Sequence, residues 1–316
     1  MSSCTQDGSV YKICFKSCGN LYEKWRKEGR YRKLPRGDIE FSVKYSDTHK
    51  YENVCQSSPV PTVVALHGAP GTCKDYFSLS SYLKQNGVRV VVPTFPGKHS
   101  AEEKAQFVRD FLNTLSINQI DTLVVHSSTV YTGLQLCVEN SPLVKSLVML
   151  TPGIHTYDMN STWSPFLMNV MVKSSEIPIL YKILQVCGPP MLKLLRVPIR
   201  VDNYLEPLLS CTSMLRGKIP ESKEKFLQLS KNKLPMLYVF SDDDTIVGKK
   251  GSYSLARLLG FSNKDVFIYD TNGNLKQIGQ ETPYIKVISF ENGSHYVFWK
   301  YADIINQEIK NFIAKL

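Results

Sequence analysis

The chain has 316 residues, 43% of them hydrophobic and 21% charged, an ordinary globular balance that can bury a sizeable core. No apolar run is long enough to cross a bilayer, and the first residues lack the apolar core of a secretory signal peptide, which excludes both classes of segment. The formal net charge is +10. A cytoplasmic location is therefore expected. The alternative is a mitochondrial presequence, which Asp7 and the scarcity of early arginine disfavour.

Much of the positive charge falls near the start of the chain. Between Lys12 and Arg36, nine basic residues accompany two acidic ones. Such a run can bind anionic lipid or RNA through simple electrostatics, and its plainer interpretation is a solvated lead-in to the fold. The interleaved aromatic residues form no recognisable nucleic-acid motif, so no nucleic-acid partner is expected. We assign residues 1–38 to a basic N-terminal extension.

Strand and helix patterns alternate in the first half of the chain. Residues 39–45 alternate apolar and polar side chains and predict a strand, and residues 62–66 form a β-branched run typical of a buried parallel strand. Further strands are predicted at 88–92, 122–125 and 146–150, with helices around 76–83, 101–115 and 133–138. This rhythm indicates an α/β fold with a doubly wound, mostly parallel sheet.

The alternation lapses between about residues 156 and 233, a stretch rich in Leu, Met and Pro. Its segment 177–201 is apolar and carries four basic residues but no acid. The Pro189-Pro190 pair predicts a break into two short helical pieces. That break favours a cap over a pocket, and the second interpretation is an amphipathic segment that makes weak peripheral membrane contact.

The sheet pattern resumes near residue 236. Strands are predicted at 236–240, 266–269 and 285–290, an Asn272-Gly273 turn suggests a hairpin arm, and a helix is predicted at 302–314. We therefore expect a core in two parts, 39–155 and 234–316, with a helical cap insertion at 156–233. Eight scattered cysteines offer no pair of metal-binding motifs, so no metal and no cofactor are expected.

Three predicted strands are followed by the groups needed to activate a hydroxyl. A hydroxyl is a weak nucleophile unless an adjacent base takes its proton and a third group orients that base. Ser127, Asp244 and His295 each follow a strand and could supply these groups. Their order along the chain is that of α/β-hydrolases, not of the chymotrypsin or subtilisin arrangements.

Four motifs in register resemble those of the α/β-hydrolase superfamily. DTLVVHSSTV is similar to the strand and nucleophile elbow, which implies Ser127 as the nucleophile. VVALHGAPG resembles the H-G-x-P oxyanion turn, which implies the backbone N–H groups of Ala69 and Ser128 as oxyanion donors. LYVFSDDDTIV and FENGSHYVFW resemble the acid turn and the histidine loop, implying Asp244 and His295. The resemblance runs from about residue 39 to residue 316 and is weakest across the insertion. Within the superfamily the chain looks most like a small branch that shares the H-G-x-P-G turn.

The elbow departs from the usual G-x-S-x-G pattern. Val125 and Thr129 occupy the glycine positions, and both are β-branched where a tight turn leaves little room. The elbow is then either relaxed, as in a working hydrolase, or distorted, as in a slow enzyme or a protein that only binds. A one-residue slip that exposes Ser128 is a third interpretation, which the spacing to the next strand disfavours.

Alternatives also exist for the acid. Asp242 or Asp243 could replace Asp244, and Asp158 is a candidate outside that turn. The other histidines are interpreted as structural, although His67 and His126 flank the site and could tune it by hydrogen bonding.

The motifs together predict a serine hydrolase that acts on an ester, thioester or amide bond. The apolar insertion favours a small-molecule substrate with a hydrophobic acyl group. The alternative is a catalytically impaired α/β-hydrolase-fold protein that binds or interacts, which Val125 and Thr129 favour. The serine at the elbow disfavours an epoxide hydrolase or dehalogenase with an aspartate nucleophile. The sequence predicts no oligomeric state.

Overall fold

The structure is a computed structural model, and it describes only part of the chain. The described residues are 10–17, 39–49, 60–95, 101–138, 143–153, 155, 170, 174, 177–194 and 221–316. Several features from the sequence lie outside these ranges: most of the basic N-terminal run, most of the insertion, and Asp158.

The described residues form ten strands, which belong to one sheet. They are β1 (Val10–Ser17), β2 (Ile39–Asp47), β3 (Thr62–Leu66), β4 (Arg89–Pro93), β5 (Thr122–His126), β6 (Leu147–Leu150), β7 (Met236–Ser241), β8 (Phe267–Tyr269), β9 (Leu275–Gln277) and β10 (Ile285–Phe290). Their order across the sheet is β1-β2-β4-β3-β5-β6-β7-β10-β8-β9. From β4 to β8 in this order every neighbouring pair is parallel, whereas β1, β2 and β9 pair antiparallel at the edges. The mostly parallel α/β sheet predicted from the sequence is confirmed.

Helices accompany this sheet on both faces. In the described part of the chain they are α1 (Phe77–Gln85), α2 (Ala101–Thr114), α3 (Val130–Val138), α4 (Pro178–Leu194), α5 (221–231), α6 (Lys249–Leu258), α7 (Val297–Lys300) and α8 (Ala302–Ile313). Neighbouring residues of β3 belong to different cores: Val64 packs with α2 and α3, and Val63 packs with α1 and α8. The central strands are therefore apolar on both faces, which is why their sequences read as continuous β-branched runs.

The sheet begins earlier than the sequence predicted. Val10–Ser17, which the sequence analysis placed in a basic extension, forms the edge strand β1 paired with β2. Its alternating pattern turns Phe15 inward, where the ring lies 5.1 Å from that of Phe107 and 6.0 Å from that of Phe111. The lysines of β1 point outward, as is common in edge strands. The strand was not predicted because its basic composition resembled that of a solvated extension.

Two findings in the predicted insertion also differ from the sequence analysis. The helix α4 runs unbroken through Pro189 and Pro190, so the predicted split into two pieces is wrong. Proline removes a backbone donor but can be accommodated inside a helix, usually with a kink. In α5, Phe226 and Leu229 are buried in the same core as Met236, so this helix is part of the main core. None of the described helices is long and apolar enough to cross a membrane.

Candidate active site

The topology brings the three predicted groups to one edge of the sheet. Ser127 directly follows β5, Asp244 follows β7, and His295 follows β10. These strands run in parallel with β6 between β5 and β7, so their carboxyl ends lie side by side. In open α/β sheets this edge is where ligands bind.

The three side chains form a continuous hydrogen-bonded chain. His295 Nδ1 lies 2.8 Å from Asp244 Oδ2, and His295 Nε2 lies 2.8 Å from Ser127 Oγ. A carboxylate only accepts hydrogen bonds, so Nδ1 of the neutral imidazole must carry the proton and donate it to Asp244. Nε2 then presents a lone pair to the Ser127 hydroxyl. This is the arrangement in which a histidine can remove the proton of a serine.

The carboxylate of Asp244 is held by the backbone that follows it. The N–H groups of Ile246 and Val247 donate to Asp244 Oδ1 over 2.8 and 3.1 Å, which leaves Oδ2 for His295. Asp244 and His295 are both buried, whereas Ser127 is only half-buried. The orienting groups are thus shielded from water, and the hydroxyl remains accessible.

The neighbouring aspartates point to other partners. Asp243 Oδ1 accepts hydrogen bonds from the backbone N–H groups of Gly293 and Ser294, over 2.8 and 2.7 Å. Asp242 Oδ1 accepts from the Ser289 hydroxyl over 2.8 Å. Asp243 therefore anchors the histidine loop through its backbone and Asp242 secures β10, and the imidazole of His295 is bonded to neither in the described structure.

Ser127 has the backbone conformation of a nucleophile elbow. Its φ is 56°, in the left-handed region that a residue with a side chain seldom adopts. Such a conformation costs on the order of 1–3 kcal/mol and persists only where the surroundings impose it. Here the strand β5 ends directly before the serine, a helical turn begins at it, and its carbonyl accepts from the Gly153 N–H over 3.0 Å.

The space for Val125 comes from the helix behind the elbow. A Cβ atom added to Gly133 of α3 would lie only 2.8 Å from Val125 Cγ1. Real Cβ atoms essentially never show so short a contact, so Gly133 must remain glycine while Val125 keeps its position. Gly133, later in the chain, thus provides the space that a glycine at position 125 would otherwise leave.

Thr129 is accommodated by hydrogen bonding. Its hydroxyl accepts from the His126 backbone N–H over 3.1 Å and lies 3.0 Å from the carbonyl oxygen of Leu66 and 2.8 Å from that of His126. The buried hydroxyl is therefore fully satisfied and ties the elbow to β3. Both departures from the glycine pattern are compatible with a well-formed turn.

We expect Gly133→Ala to lower the free energy of unfolding by about 1–3 kcal/mol, because the new methyl group overpacks the contact with Val125. In the Val125→Ala background the same change should be neutral, or stabilising by up to about 1 kcal/mol through the better helix propensity of alanine. Urea denaturation of the four proteins in this double-mutant cycle measures the coupling.

Val124 provides the matched control for this cycle. It neighbours Val125 in β5 but packs in the core on the opposite face of the sheet. Gly133→Ala and Val124→Ala should therefore add within about 0.5 kcal/mol. If the Val125 cycle is equally additive, the proposed compensation is wrong.

Ser128 is a poor candidate for the exposed hydroxyl. The residue is 2% exposed, and among the described residues its Oγ has no hydrogen-bond partner. The base lies at Ser127 Oγ instead. The one-residue slip considered from the sequence therefore has no support in the geometry.

The predicted oxyanion turn lies directly against the elbow. A Cβ atom added to Gly68 would be 3.0 Å from Ser127 Cβ and 2.7 Å from His126 Nδ1, so only glycine fits there. This close approach places the following residue, Ala69, at the rim of the site, where it is partly exposed. The assignment of the Ala69 and Ser128 N–H groups as oxyanion donors stays a prediction from the sequence.

His67 fastens the oxyanion turn to the neighbouring strand. Its Nδ1 donates to the Gly68 carbonyl over 2.7 Å, and its Nε2 accepts from the Phe95 N–H over 3.0 Å. Burial lowers the pKa of His67 to about 4. The ring is therefore neutral at physiological pH, and its role is structural, as the sequence suggested.

His126 supports the proposed base from beneath. Its Nε2 donates to the carbonyl oxygen of His295 over 3.0 Å, and the Thr151 hydroxyl donates to the same oxygen over 2.7 Å. Burial, with a smaller contribution from the neighbouring His295, holds the pKa of His126 well below its ordinary value. A neutral His126 does not repel a positive charge on the imidazole of His295, whose ring centre lies 4.9 Å away.

Within the described ranges, no group of three or more His, Cys, Asp or Glu side chains could hold a metal ion.

The sequence as a whole matches one family model. The family is described as "Alpha/beta hydrolase of unknown function (DUF1057)", and the match covers residues 36–314. The chain belongs to this α/β-hydrolase family. The superfamily resemblance seen in the motifs, and the fold that it implied, are thereby confirmed.

A curated relative matches over a shorter span. "Uncharacterized protein F35H12.5" of Caenorhabditis elegans is 28% identical over 122 residues, which cover 33% of this chain and 34% of that protein. The chain thus matches about a third of the length of this relative.

Solved α/β-hydrolase structures resemble the chain over most of its length. An esterase from Thermogutta terrifontis has a TM-score of 0.61 at 14% identity, over 96% of this chain and 98% of that one. An enol-lactonase from Burkholderia xenovorans LB400 has a TM-score of 0.61 at 12% identity, over 86% of this chain and 96% of that one. At these identities the likeness concerns the fold alone.

Two supporting residues of this α/β-hydrolase were missed from the sequence. Thr151 follows β6 and reaches the His295 carbonyl, and Gly133 makes room for Val125. The only local signal for Gly133 was a glycine inside a predicted helix, which often marks close packing. No local signal indicated Thr151, because its partner lies 144 residues away in sequence.

Proposed function

We propose that this α/β-hydrolase is a serine hydrolase that cleaves an ester, thioester or amide bond, with Ser127 as the nucleophile. The observation that carries the proposal is the hydrogen-bonded chain from Asp244 through His295 to Ser127, with 2.8 Å at each step. The left-handed conformation of Ser127 supports it independently, because strained backbone of this kind clusters at active sites.

In the proposed reaction, His295 Nε2 takes the proton of Ser127 while Oγ attacks the substrate carbonyl. The N–H groups of Ala69 and Ser128 stabilise the oxyanion, and His295 then returns the proton to the leaving group. Water attacks the resulting acyl-serine with the same base and releases the acid. Asp244 stabilises the imidazolium that forms in both steps, and the neutral His126 beside it adds no repulsion.

The substrate is proposed to be a small molecule with a hydrophobic acyl group. The support comes from the apolar composition of residues 177–201 and from the kind of proteins that share the fold, among them an esterase and an enol-lactonase. No cofactor takes part in this mechanism.

The alternative proposed from the sequence was a protein with a distorted elbow that binds without catalysis. Val125 and Thr129 are the residues that favoured this alternative. Gly133 leaves space for Val125, and hydrogen bonds of its hydroxyl accommodate Thr129. These contacts favour the hydrolase.

Labelling with a fluorophosphonate tests the proposal without knowledge of the substrate. An activated serine attacks phosphorus and expels fluoride, so mass spectrometry should find the phosphonyl group on Ser127 of the wild-type protein. Ser128→Ala should be labelled at a similar rate, whereas Ser127→Ala should not be labelled. Absence of labelling in folded wild-type protein would favour the binding alternative, and labelling at Ser128 would mean that the nucleophile is assigned one residue too early.

A further inference from the structure

The outer face of α4 is apolar and open to solvent. Five apolar residues spaced three or four apart lie on this face, which we call the α4 stripe: Ile179, Ile183, Val186, Pro190 and Leu194. The exposed fractions are 68% for Ile179, 51% for Ile183, 76% for Val186 and 83% for Leu194. Because this spacing follows the helical repeat, the side chains form one continuous row.

The helix cannot bury this row by turning over. Its opposite face is also apolar, and Tyr181 and Leu184 pack there against the core cluster that contains Tyr296 and Phe298. A helix that is apolar on both sides is normally covered on both sides. Exposed rows of large apolar side chains in soluble domains mark interaction sites.

The charges on α4 indicate what covers the stripe. Lys182 and Lys193 are exposed beside it, and the helix has no acidic residue. Two copies of the chain that paired through this face about a two-fold axis would bring four lysines together without any carboxylate of α4 to neutralise them. An anionic lipid surface instead offers hydrocarbon to the stripe and negative headgroups to the lysines.

The dimensions of α4 suit a helix that lies on a membrane. Its 17 residues span about 25 Å at 1.5 Å per residue, and its inner face stays bound to the domain. We propose that the α4 stripe is a docking surface for an anionic phospholipid bilayer, with α4 parallel to the membrane and its lysines at the headgroups. This inference goes beyond the proposed function and does not depend on catalysis by Ser127.

Flotation of the 316-residue chain with vesicles tests the docking surface. The wild-type protein should float with mixed phosphatidylcholine and phosphatidylserine vesicles, more weakly with phosphatidylcholine alone, and less at high salt. Ile183→Ser/Val186→Ser should lower the partition coefficient by at least about 10-fold, because apolar contact with the lipid is lost. Lys182→Gln/Lys193→Gln should lower it by about 10-fold on anionic vesicles only.

A matched control uses residues near the amino end of β8, at the opposite edge of the sheet from Ser127. Ile278 is 77% exposed, close to the value for Val186, and Lys264 is exposed near it beside β8. Ile278→Ser/Lys264→Gln should float like the wild type. Ser127→Ala should also float like the wild type, which separates this inference from the proposed hydrolase activity.

Four outcomes would overturn the inference. Failure of the wild type to float with anionic vesicles is the first. Unchanged flotation of both α4 variants is the second, since the binding would then belong to basic residues elsewhere. An equal loss in the Ile278→Ser/Lys264→Gln control is the third. The fourth is dimerisation in sedimentation equilibrium that Ile183→Ser/Val186→Ser abolishes, which would assign the stripe to a second copy of the chain.

Discussion

Replacing His295 with glutamine is expected to lower the kcat for hydrolysis of an activated ester by about 10⁶-fold. Glutamine can donate to Asp244, but it offers no basic nitrogen to Ser127, from which the imidazole lies 2.8 Å away. The loss should appear in kcat, because the interaction is made in the transition state. Hydrolysis of p-nitrophenyl butyrate by purified variants measures it, with folding checked by circular dichroism.

Combining His295→Gln with Ser127→Ala tests whether the two residues act together in catalysis or contribute to kcat independently. The double variant should have a kcat no lower than that of either single variant, since neither group acts without the other. His49→Gln is the control, because His49 follows the antiparallel strand β2 and lies near the start of β4, at the opposite edge of the sheet. A multiplicative loss in the double variant would show that Ser127 and His295 do not act together.

Asp244→Asn is expected to lower kcat by about 10⁴-fold while the fold stays intact. The backbone N–H groups that bond Oδ1 can still donate to the amide oxygen of asparagine. The amide nitrogen then faces His295 Nδ1 and donates to it, which forces the proton of the imidazole onto Nε2. His295 in that tautomer cannot accept the proton of Ser127.

Asp243→Asn is the matched control for the acid. The carboxylate of Asp243 accepts from two backbone N–H groups of the histidine loop, and an asparagine oxygen can accept the same bonds. Its kcat should therefore stay within about 10-fold of the wild type. A larger loss in Asp243→Asn than in Asp244→Asn would mean that the acid has been assigned to the wrong residue.

Most of the fold could be predicted from the sequence because its central strands are buried on both faces. Runs such as residues 62–66 and 122–126 are continuous and β-branched, and helices separate them. That combination specifies parallel strands joined by crossovers, so the carboxyl ends of the strands meet at one edge. The meeting of Ser127, Asp244 and His295 at that edge was predictable for the same reason.

The edge strand and the insertion were harder because their stability comes from long-range contacts. The strand β1 carries outward lysines and becomes a strand by pairing with β2 and packing Phe15 on α2. The helix α4 continues through two prolines, where local propensity alone predicts a break. In both segments tertiary packing outweighs local preference.

The sequence by itself determined the order of the central strands and the helices between them, and with it which residue types meet at the carboxyl edge of the sheet. Only the tertiary structure decided how three adjacent aspartates divide their partners, since all three follow the same strand and His295 reaches one of them. It also decided whether Val125 is tolerated at the elbow, because the space comes from Gly133 on another element. Backbone patterns depend on local composition, whereas the room around an atom depends on residues far away in the chain.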